Sequence, residues 1–315
     1  MPALNIVSDE QAQRLVDRVE VLGIVEQAYR AAADGQARVS KPSALSMRGH
    51  AGAGTYFKVK GAVLDSLNVA GFRLIADGEQ TSQETGANLY VVDATNGRPL
   101  GFVAEGWLHR IRTASTGLVT CRQLLPQGAK RLALIGTGRI AQEFIRSCHL
   151  VLPQMEIVMA SRAAERAKAS AQAWRTMTPL PLSAAPIHEA LSQADVVVTL
   201  SDAAEVLFTA ADLQPHALVC AMGGRFEFDR DVLDRADAFI VDELDFVCTL
   251  GSAAHWIRSG QLTRADLEKR LDATIGELLS GKKTVKPGPA LAIIQGMAIC
   301  DLAIAKTVLD RAKVG

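Results

Sequence analysis

The chain has 315 residues, 49% of them apolar, and its 34 basic residues equal its 34 acidic residues. This length and composition predict a globular protein with a sizeable core and about two domains. A neutral balance without a basic stretch argues against nucleic acid or an anionic membrane as a partner, and the apolar runs are too short to span a bilayer.

The N-terminal third is predicted to contain two helices followed by a sheet. Ser8-Asp-Glu-Gln11 has the pattern of a capping box that opens a short helix, and a second helix is predicted over residues 19–33. Asn96-Gly97 is a strong hairpin signal because both residues tolerate a positive φ. We therefore predict an antiparallel or mixed sheet, with strands at 44–47, 55–64, 69–76, 89–94 and 100–104.

From residue 107 onward, apolar strand-like runs alternate with helical patterns, which is typical of a parallel, doubly wound sheet. A helix is predicted at 244–258, and the last helix, at 291–311, follows a Gly- and Pro-containing linker. Because a long closing helix needs a surface to pack on, we expect it to return to the N-terminal domain. The predicted domains are residues 1–122 with 291–315, and a Rossmann domain over 123–290.

The cysteines and histidines carry no metal or disulfide pattern. The five cysteines are scattered and lack a C-x-x-C pair, and the six histidines lack H-x-x-x-H spacing. This arrangement predicts reduced thiols in a cytoplasmic compartment and no protein-bound metal.

The segment Arg131-Leu-Ala-Leu-Ile-Gly136-Thr-Gly-Arg-Ile-Ala141 carries the strongest functional signal. It reads as a strand, a glycine turn and a helix, in the G-x-G-x-x-A form of the dinucleotide fingerprint. Gly136 would make the sharp turn, and Gly138 would let a diphosphate approach the helix N-terminus. A strand-to-helix turn without a ligand is the alternative. The next strand and helix follow at the expected spacing, so a nicotinamide or flavin cofactor is predicted.

The end of the following strand favours NADP(H) over NAD(H). It reads Ala160-Ser161-Arg162, whereas an NAD site would place an acidic residue there to bind the ribose hydroxyls. Arg162 would bind the 2′-phosphate, or it is simply a solvated residue at a helix start. The predicted cofactor-binding residues lie at this turn and at later strand ends, where small residues can also be purely structural: Gly136, Thr137, Gly138, Arg139, Ile140, Ser161, Arg162, Thr199, Ser201, Met222 and Gly223.

Four motifs, in chain order, resemble those of the ornithine cyclodeaminase/μ-crystallin family. Asp93-Ala-Thr-Asn-Gly-Arg-Pro-Leu-Gly101 resembles its D-x-x-T-G-x-P-L-A hairpin, and Arg112-Thr-Ala-Ser-Thr-Gly117 resembles its R-T-A-A-x-x motif. The glycine turn resembles its G-x-G-x-Q-A turn, with Ile140 where Gln is usual. Gly296-Met-Ala-Ile-Cys-Asp-Leu-Ala303 resembles its closing G-x-A-x-x-D-x-A helix.

The resemblance implies an α/β fold in which a Rossmann doubly wound parallel sheet domain accompanies an N-terminal α+β substrate and dimerisation domain completed by the C-terminal helix. It also implies a homodimer and a small imino or amino acid carboxylate as substrate. We therefore expect an NAD(P)H-dependent reductase or dehydrogenase of an imino or amino acid. Two alternatives stay open: a cyclodeaminase-type lyase with a recycled NAD, and a non-catalytic binder of NADPH and a small ligand.

Three positions depart from the family pattern. The substrate lysine of the family aligns with Arg73, its catalytic aspartate with Arg225, and an early arginine with Ala44. An arginine cannot accept the hydrogen bonds that would orient an amine for ring closure, so Arg225 argues against the lyase. Arg73 and Arg225 could instead hold a second carboxylate of an acidic substrate.

Arg112 is the first candidate for the substrate carboxylate, because a planar guanidinium binds it in a bidentate manner. Lys58 and Lys60 face the same side of a strand, either in an anionic pocket or on a solvated face. Arg73 interrupts an apolar run and so needs a partner or a ligand. We thus predict Lys58, Arg73 and Arg112 as catalytic residues, and Lys58, Lys60, Arg73, Arg112 and Arg225 as substrate-binding residues.

The proton donor for the imine nitrogen is left open between Lys58, Glu227, Asp229 and a water molecule. His109 is expected on the opposite side of its helix from Arg112.

Overall fold

The computed structural model describes residues 4–48, 56–77 and 87–313. The chain divides into two compact units, residues 1–113 with 296–315, and residues 114–295. Within the described ranges, no helix combines the length and the apolar character that a bilayer crossing needs.

The first unit contains a mixed sheet, as predicted, with seven strands where five were predicted. Its strand order is β1-β7-β6-β5-β4-β2, with β3 also paired to β4, and only the β1–β7 pair is parallel among these described strands. The two three-residue strands, β1 and β2, were not predicted because they are too short to show a period. The elements are β1 (Asn5–Val7), α1 (Asp9–Leu15), α2 (Arg18–Ala33), β2 (Ala37–Val39), β3 (Leu45–Arg48), β4 (Tyr56–Leu64), β5 (Val69–Asp77), β6 (Ala87–Asp93), β7 (Pro99–Ala104) and the start of α3 (Gly106–Gln123).

Local sequence accounts for where these elements begin and turn. The Ser8 side chain accepts a hydrogen bond from the Gln11 backbone N–H, and the Gln11 side chain accepts one from Ser8, which confirms the predicted capping box. In the β6–β7 hairpin, Gly97 has a φ of 71° and donates its N–H to the Asp93 carbonyl at 2.9 Å. Asn96 does not adopt a positive φ, so only the glycine uses the freedom that was expected of both.

The last helix, α12 (Ala298–Ala312), packs on the inner face of this sheet, which confirms that it returns to the N-terminal unit. Two strand glycines allow the close approach: a Cβ at Gly71 would lie 2.8 Å from Leu302, and one at Gly101 would lie 2.6 Å from Leu309. The predicted start of this helix at residue 291 is wrong. Residues Ala290–Ile293 form a fully buried strand of the second unit, because a short continuous apolar run serves a buried strand as well as a helix.

The second unit is an all-parallel, eight-stranded sheet, which confirms the doubly wound prediction. The strand order is β10-β9-β8-β11-β12-β15-β13-β14, and it reverses between β8 and β11, where a Rossmann crevice opens. The predicted helix at 244–258 is divided in two at Gly251, whose φ is 74°. The elements are β8 (Arg131–Ile135), α4 (Arg139–Cys148), β9 (Glu156–Ala160), α5 (Ala164–Trp174), β10 (Leu182–Ala184), α6 (Ile187–Leu191), β11 (Val196–Thr199), β12 (Leu218–Ala221), α7 (Asp231–Arg235), β13 (Ala238–Val241), α8 (Leu244–Val247), α9 (Gly251–Arg258), α10 (Arg264–Arg270), β14 (Ala273–Thr274), α11 (Ile275–Leu279) and β15 (Ala290–Ile293).

Candidate functional site

A cleft of about 580 Å³ opens in the second unit at the carboxyl ends of β8, β9 and β11. This is the edge of a parallel sheet at which dinucleotides bind in doubly wound folds. Six of the predicted cofactor-binding residues line the cleft: Gly136, Thr137, Gly138, Ser161, Arg162 and Ser201. Arg166, Asp202 and Glu205 also line it and were not predicted.

The two glycines of the fingerprint have different structural roles. Gly136 has a φ of 139°, and a Cβ there would clash with the carbonyl oxygen of Leu200. Gly138 is the N-cap of α4 with an ordinary φ of −84°, and a Cβ there would meet no atom within 4 Å. Gly136 is therefore required by the turn, whereas Gly138 leaves open space before the helix.

The N-terminus of α4 is suited to an anion. It has neither a side-chain cap nor an acidic residue in its first turn, so the first N–H groups and the positive end of the helix dipole remain available. Arg139 and Ile140 open this helix, with Arg139 exposed and Ile140 half-buried.

The end of β9 presents cations and a hydroxyl to the cleft. The Ser161 hydroxyl donates to the Ala163 carbonyl at 2.7 Å, and Arg162 forms an exposed ion pair with Glu205 at 3.0 Å. Arg166, in the first turn of α5, lines the same cleft. The acidic residue near Arg162 thus comes from the segment after β11 and is already bound to the guanidinium.

Glu227 is fully buried and holds the ends of β11 and β12 together. Its carboxylate accepts hydrogen bonds from the Thr199 hydroxyl at 2.7 Å, the Ser201 hydroxyl at 2.5 Å and the Ser201 backbone N–H at 3.2 Å. It also lies so close over Gly223 that a Cβ there would clash with it. Burial raises the pKa of Glu227, and the Ser201 and Thr199 hydrogen bonds oppose this rise. Glu227, Thr199, Ser201 and Gly223 form one bonded group.

Two further predicted residues of this unit lie at the end of β12 or shortly after it. Met222 is buried, and a Cβ at Gly117 would clash with its sulfur, so it packs against α3. Arg225 has a half-exposed side chain that pairs with Asp202 at 2.6 Å.

A second group of predicted site residues is buried in the first unit, where two arginines form ion pairs. Arg73 on β5 donates from Nε to Glu105 at 2.6 Å, and Arg112 on α3 donates from Nε to Asp301 at 2.6 Å. All four side chains are at most 4% exposed. The partner that the sequence required for Arg73 is therefore Glu105.

The two strand lysines share the inner face of the sheet. Lys60 lies directly opposite Arg73 in the β4–β5 pair, is buried, and donates to the Gly296 carbonyl at 2.7 Å. Lys58 lies opposite Ile75 on the same face and is half-buried. The structure thus places Lys58, Lys60 and Arg73 on one face of adjacent strands.

His109 contacts Arg112, contrary to the prediction that it lies on the opposite side of the helix. Its Nδ1 is 3.2 Å from Arg112 Nη2, because residues three apart on a helix share a face. Gly296 lies against the same guanidinium: its φ is 81°, and a Cβ there would clash with Nη1.

The charges of the cluster are set by burial and by the two arginines. Burial raises the pKa of Glu105 to about 8, with Arg73 opposing the rise and Asp301 adding to it. Burial also disfavours ionised Asp301, but Arg112 and Arg73 outweigh it and lower the pKa of that carboxyl. Burial, followed by Arg73 and Arg112, holds the pKa of His109 well below its usual value.

Glu105, His109 and Asp301 each place one potential ligand atom within 4.8 Å of the others. Such a group could hold a metal ion in isolation. Here Arg73 and Arg112 already bind the two carboxyl groups, and Lys60 lies beside Arg73. Added positive charge would be repelled, so these residues do not fit a metal.

Sequence reasoning did not identify Glu105 and Asp301 as site residues. The available signal was weak: each is a single acidic residue in an apolar stretch, one at the start of α3 and one near the start of α12.

Comparisons with known proteins bear on the family and the fold of this chain. The Ornithine cyclodeaminase/mu-crystallin family model matches residues 3–315. A Delta(1)-pyrroline-2-carboxylate reductase of Bacillus cereus is 24% identical over 259 residues, which cover 79% of this chain and 78% of that protein. The iminosuccinate reductase of Paracoccus denitrificans is 26% identical over 240 residues, 72% of this chain and 71% of that protein. An uncharacterized cyclodeaminase of Sinorhizobium fredii is 29% identical over 217 residues, which cover 66% of this chain and 64% of that protein.

Among solved structures, an archaeal alanine dehydrogenase dimer with bound NAD has a TM-score of 0.87. The match covers 99% of this chain and 96% of that chain, at 21% sequence identity. This likeness shows that the two proteins share a fold.

Proposed function

The chain belongs to the ornithine cyclodeaminase/mu-crystallin family, and we propose that it is an NAD(P)H-dependent reductase or dehydrogenase acting on an imino or amino acid. The observation that carries this proposal is the glycine-lined cleft at the N-terminus of α4, which suits a diphosphate. Curated relatives named as reductases of imino acids support the substrate class. Bound nicotinamide would supply or accept the hydride.

The proposed substrate site is the cationic inner face of the first unit. Because Lys58 is only half-buried, it is the cation best placed to contact a substrate carboxylate. Arg73 and Arg112 are buried behind ion pairs, and they would supply positive potential and fix the neighbouring groups. Within this unit the proposal keeps Lys58, Arg73 and Arg112 as the principal residues, with Lys60 beside Arg73.

NADP(H) is the proposed cofactor. β9 ends without an acidic residue, and Ser161, Arg162 and Arg166 line the cleft where a 2′-phosphate would bind. The archaeal alanine dehydrogenase structure contains NAD, so this preference rests on the side chains of this chain alone.

A panel assay tests the proposed activity. NADPH and NADH oxidation would be followed with cyclic imino acids and with 2-keto acids plus ammonia or an amine. We expect saturable turnover with at least one of these substrates. Tight nucleotide binding without any turnover would instead favour a non-catalytic binder. Proline and ammonia formed from ornithine without net cofactor turnover would favour the lyase, which Arg225 makes the less favoured reading.

We also propose a homodimer joined through the outer face of the N-terminal sheet. This face lies opposite α12 and exposes apolar side chains: Ile6, Leu45, Met47, Phe72 and Leu74 are between 36% and 70% exposed. Phe72, Tyr90 and Phe102 form a cross-strand aromatic row on the same face, with centroid separations of 5.5 and 4.9 Å. An apolar face of this kind favours a partner, and the matched alanine dehydrogenase is a dimer.

Light scattering during size-exclusion chromatography tests the dimer. Phe72→Glu should yield a folded monomer. Val19→Glu, an equally drastic change at an exposed apolar residue on α2, should leave the dimer intact. A wild-type monomer, or a Phe72→Glu dimer, would contradict the assignment.

A cytoplasmic location is proposed as well, because all five cysteines are free thiols.

A further inference from the structure

Two buried carboxyl oxygens of this charged cluster lack a well-directed hydrogen bond: Oε1 of Glu105, which has only the ion-pair contact with Arg73 Nε at 2.5 Å, and Oδ2 of Asp301. Both residues are fully buried. One oxygen of each lies within 4.8 Å of the other. A buried acceptor without a donor is costly, and two ionised carboxylates at such a distance repel each other. A proton on one of them would remove both problems at once.

We propose that Glu105 is a positioning residue that carries a proton at neutral pH and donates it in a hydrogen bond to Asp301. That bond would join the two ion pairs into one chain, Arg73–Glu105–Asp301–Arg112. The inference rests on the proposed function in one respect, which is that Arg73 and Arg112 shape the substrate site.

The surrounding groups identify Glu105 as the residue that holds the proton. Arg112 donates from Nε to Asp301 at 2.6 Å and stabilises that carboxylate in its ionised form. Burial disfavours the ionised form of Glu105 and raises its pKa, whereas the two arginines lower the pKa of Asp301. Arg73 remains satisfied in either state, because a protonated carboxyl still offers an acceptor oxygen.

His109 does not supply the missing donor from Nδ1. Nδ1 lies 3.2 Å from both Arg112 Nη2 and Thr113 Oγ1. Arg112 Nη2 can only donate, so a hydrogen bond with it requires Nδ1 to accept and places the proton of a neutral ring on Nε2. The other charged groups that face Glu105 are cations: Arg73 on β5, Lys60 opposite it on β4, and Arg112 on α3. Asp301 on α12 is the acidic neighbour.

The pH profile of kcat/KM tests this arrangement with an isosteric variant. Glu105→Gln keeps a donor toward Asp301 and an acceptor toward Arg73, but it cannot titrate. In the wild type, we expect kcat/KM to fall as the pH rises through about 8, because ionised Glu105 loses its bond to Asp301. Glu105→Gln should retain most of the wild-type kcat/KM at neutral pH and lose this alkaline decline.

Two further variants separate positioning from simple packing. Glu105→Leu removes both bonds and should lower kcat/KM by about a hundredfold, the scale at which misplaced groups reduce catalysis. His109→Asn should preserve the alkaline decline, since the titrating group is Glu105. An unchanged alkaline decline in Glu105→Gln would overturn the proposal.

A measurement without substrate keeps this test independent of the proposed function. Infrared difference spectroscopy of the wild type against Glu105→Gln should show the carbonyl band of a buried protonated carboxyl at neutral pH, and the band should disappear on alkalisation. If the band is present but no substrate turns over, the proposed function fails and the assignment of the proton to Glu105 stands. Absence of the band in folded wild-type protein would overturn that assignment.

Discussion

The glycine-lined cleft of the second unit and the charged cluster of the first unit are built in different ways. The cleft is formed mainly by backbone: a positive-φ glycine, an uncapped helix N-terminus and exposed side chains such as Arg162. The cluster is formed by buried side chains from β4, β5, α3 and α12. One site should be sensitive to added Cβ atoms, and the other to lost charge.

Solvent exposure sets the size of these sensitivities. The Arg162–Glu205 pair is more than half exposed on both sides, and such pairs contribute about 1 kcal/mol or less to stability. The Arg112–Asp301 pair is buried, and removing one partner leaves an uncompensated charge away from water.

The largest effect is expected from Asp301→Ala. Because it leaves Arg112 buried without its carboxylate, it should lower the free energy of unfolding by about 3–5 kcal/mol. Asp310→Ala is the matched control on the same helix, where Asp310 forms a surface pair with Lys306. It should cost about 1 kcal/mol or less. Urea unfolding curves measure both, and a similar small loss in the two variants would contradict the importance of the buried pair.

Alanine substitutions at the two fingerprint glycines should separate an effect on stability from an effect on nucleotide binding. Gly136→Ala combines an unfavourable φ with a clash against Leu200, and it should destabilise the protein by about 1–3 kcal/mol. Gly138→Ala has room for its Cβ in the folded chain, so its unfolding curve should resemble that of the wild type. It should nevertheless weaken NADPH binding by about tenfold or more, because the diphosphate loses its close approach. Unimpaired NADPH binding by Gly138→Ala would place the phosphates elsewhere.

The smallest effect should come from the exposed cation of the cleft. Arg162→Ala should raise KM for NADPH by about tenfold, the value of one charge-assisted hydrogen bond, and leave KM for NADH nearly unchanged. Lys168 carries an exposed positive charge on α5, close to Arg162 in the chain, but it does not line the cleft. Lys168→Ala should therefore affect neither constant. Equal losses for both nucleotides would argue against a 2′-phosphate contact at Arg162.

The same contrast explains what could be predicted from sequence. The cleft residues Gly136, Thr137 and Gly138 are adjacent in the chain, so their pattern is visible as a motif. The cluster partners are far apart: Arg73 and Glu105 are separated by 32 positions, and Arg112 and Asp301 by 189. Arg73 was recognised because it interrupts an apolar run, and Arg112 from its position in a motif. No local sequence pattern identifies the carboxylates that pair with them in the folded chain.

Two further errors in the sequence predictions have different origins. His109 was assigned to the wrong side of α3, although three-residue spacing places it beside Arg112. Residues 291–293 were assigned to the last helix, because an apolar run of this length does not show whether strands β12 and β13 will pair with it on either side.

Calorimetric titration of the purified protein with NADPH and with NADH tests the central claim most directly. The account predicts saturable binding at one site per chain, tighter for NADPH, and strongly weakened in Gly138→Ala without loss of fold. No measurable binding of either nucleotide to folded protein would contradict it.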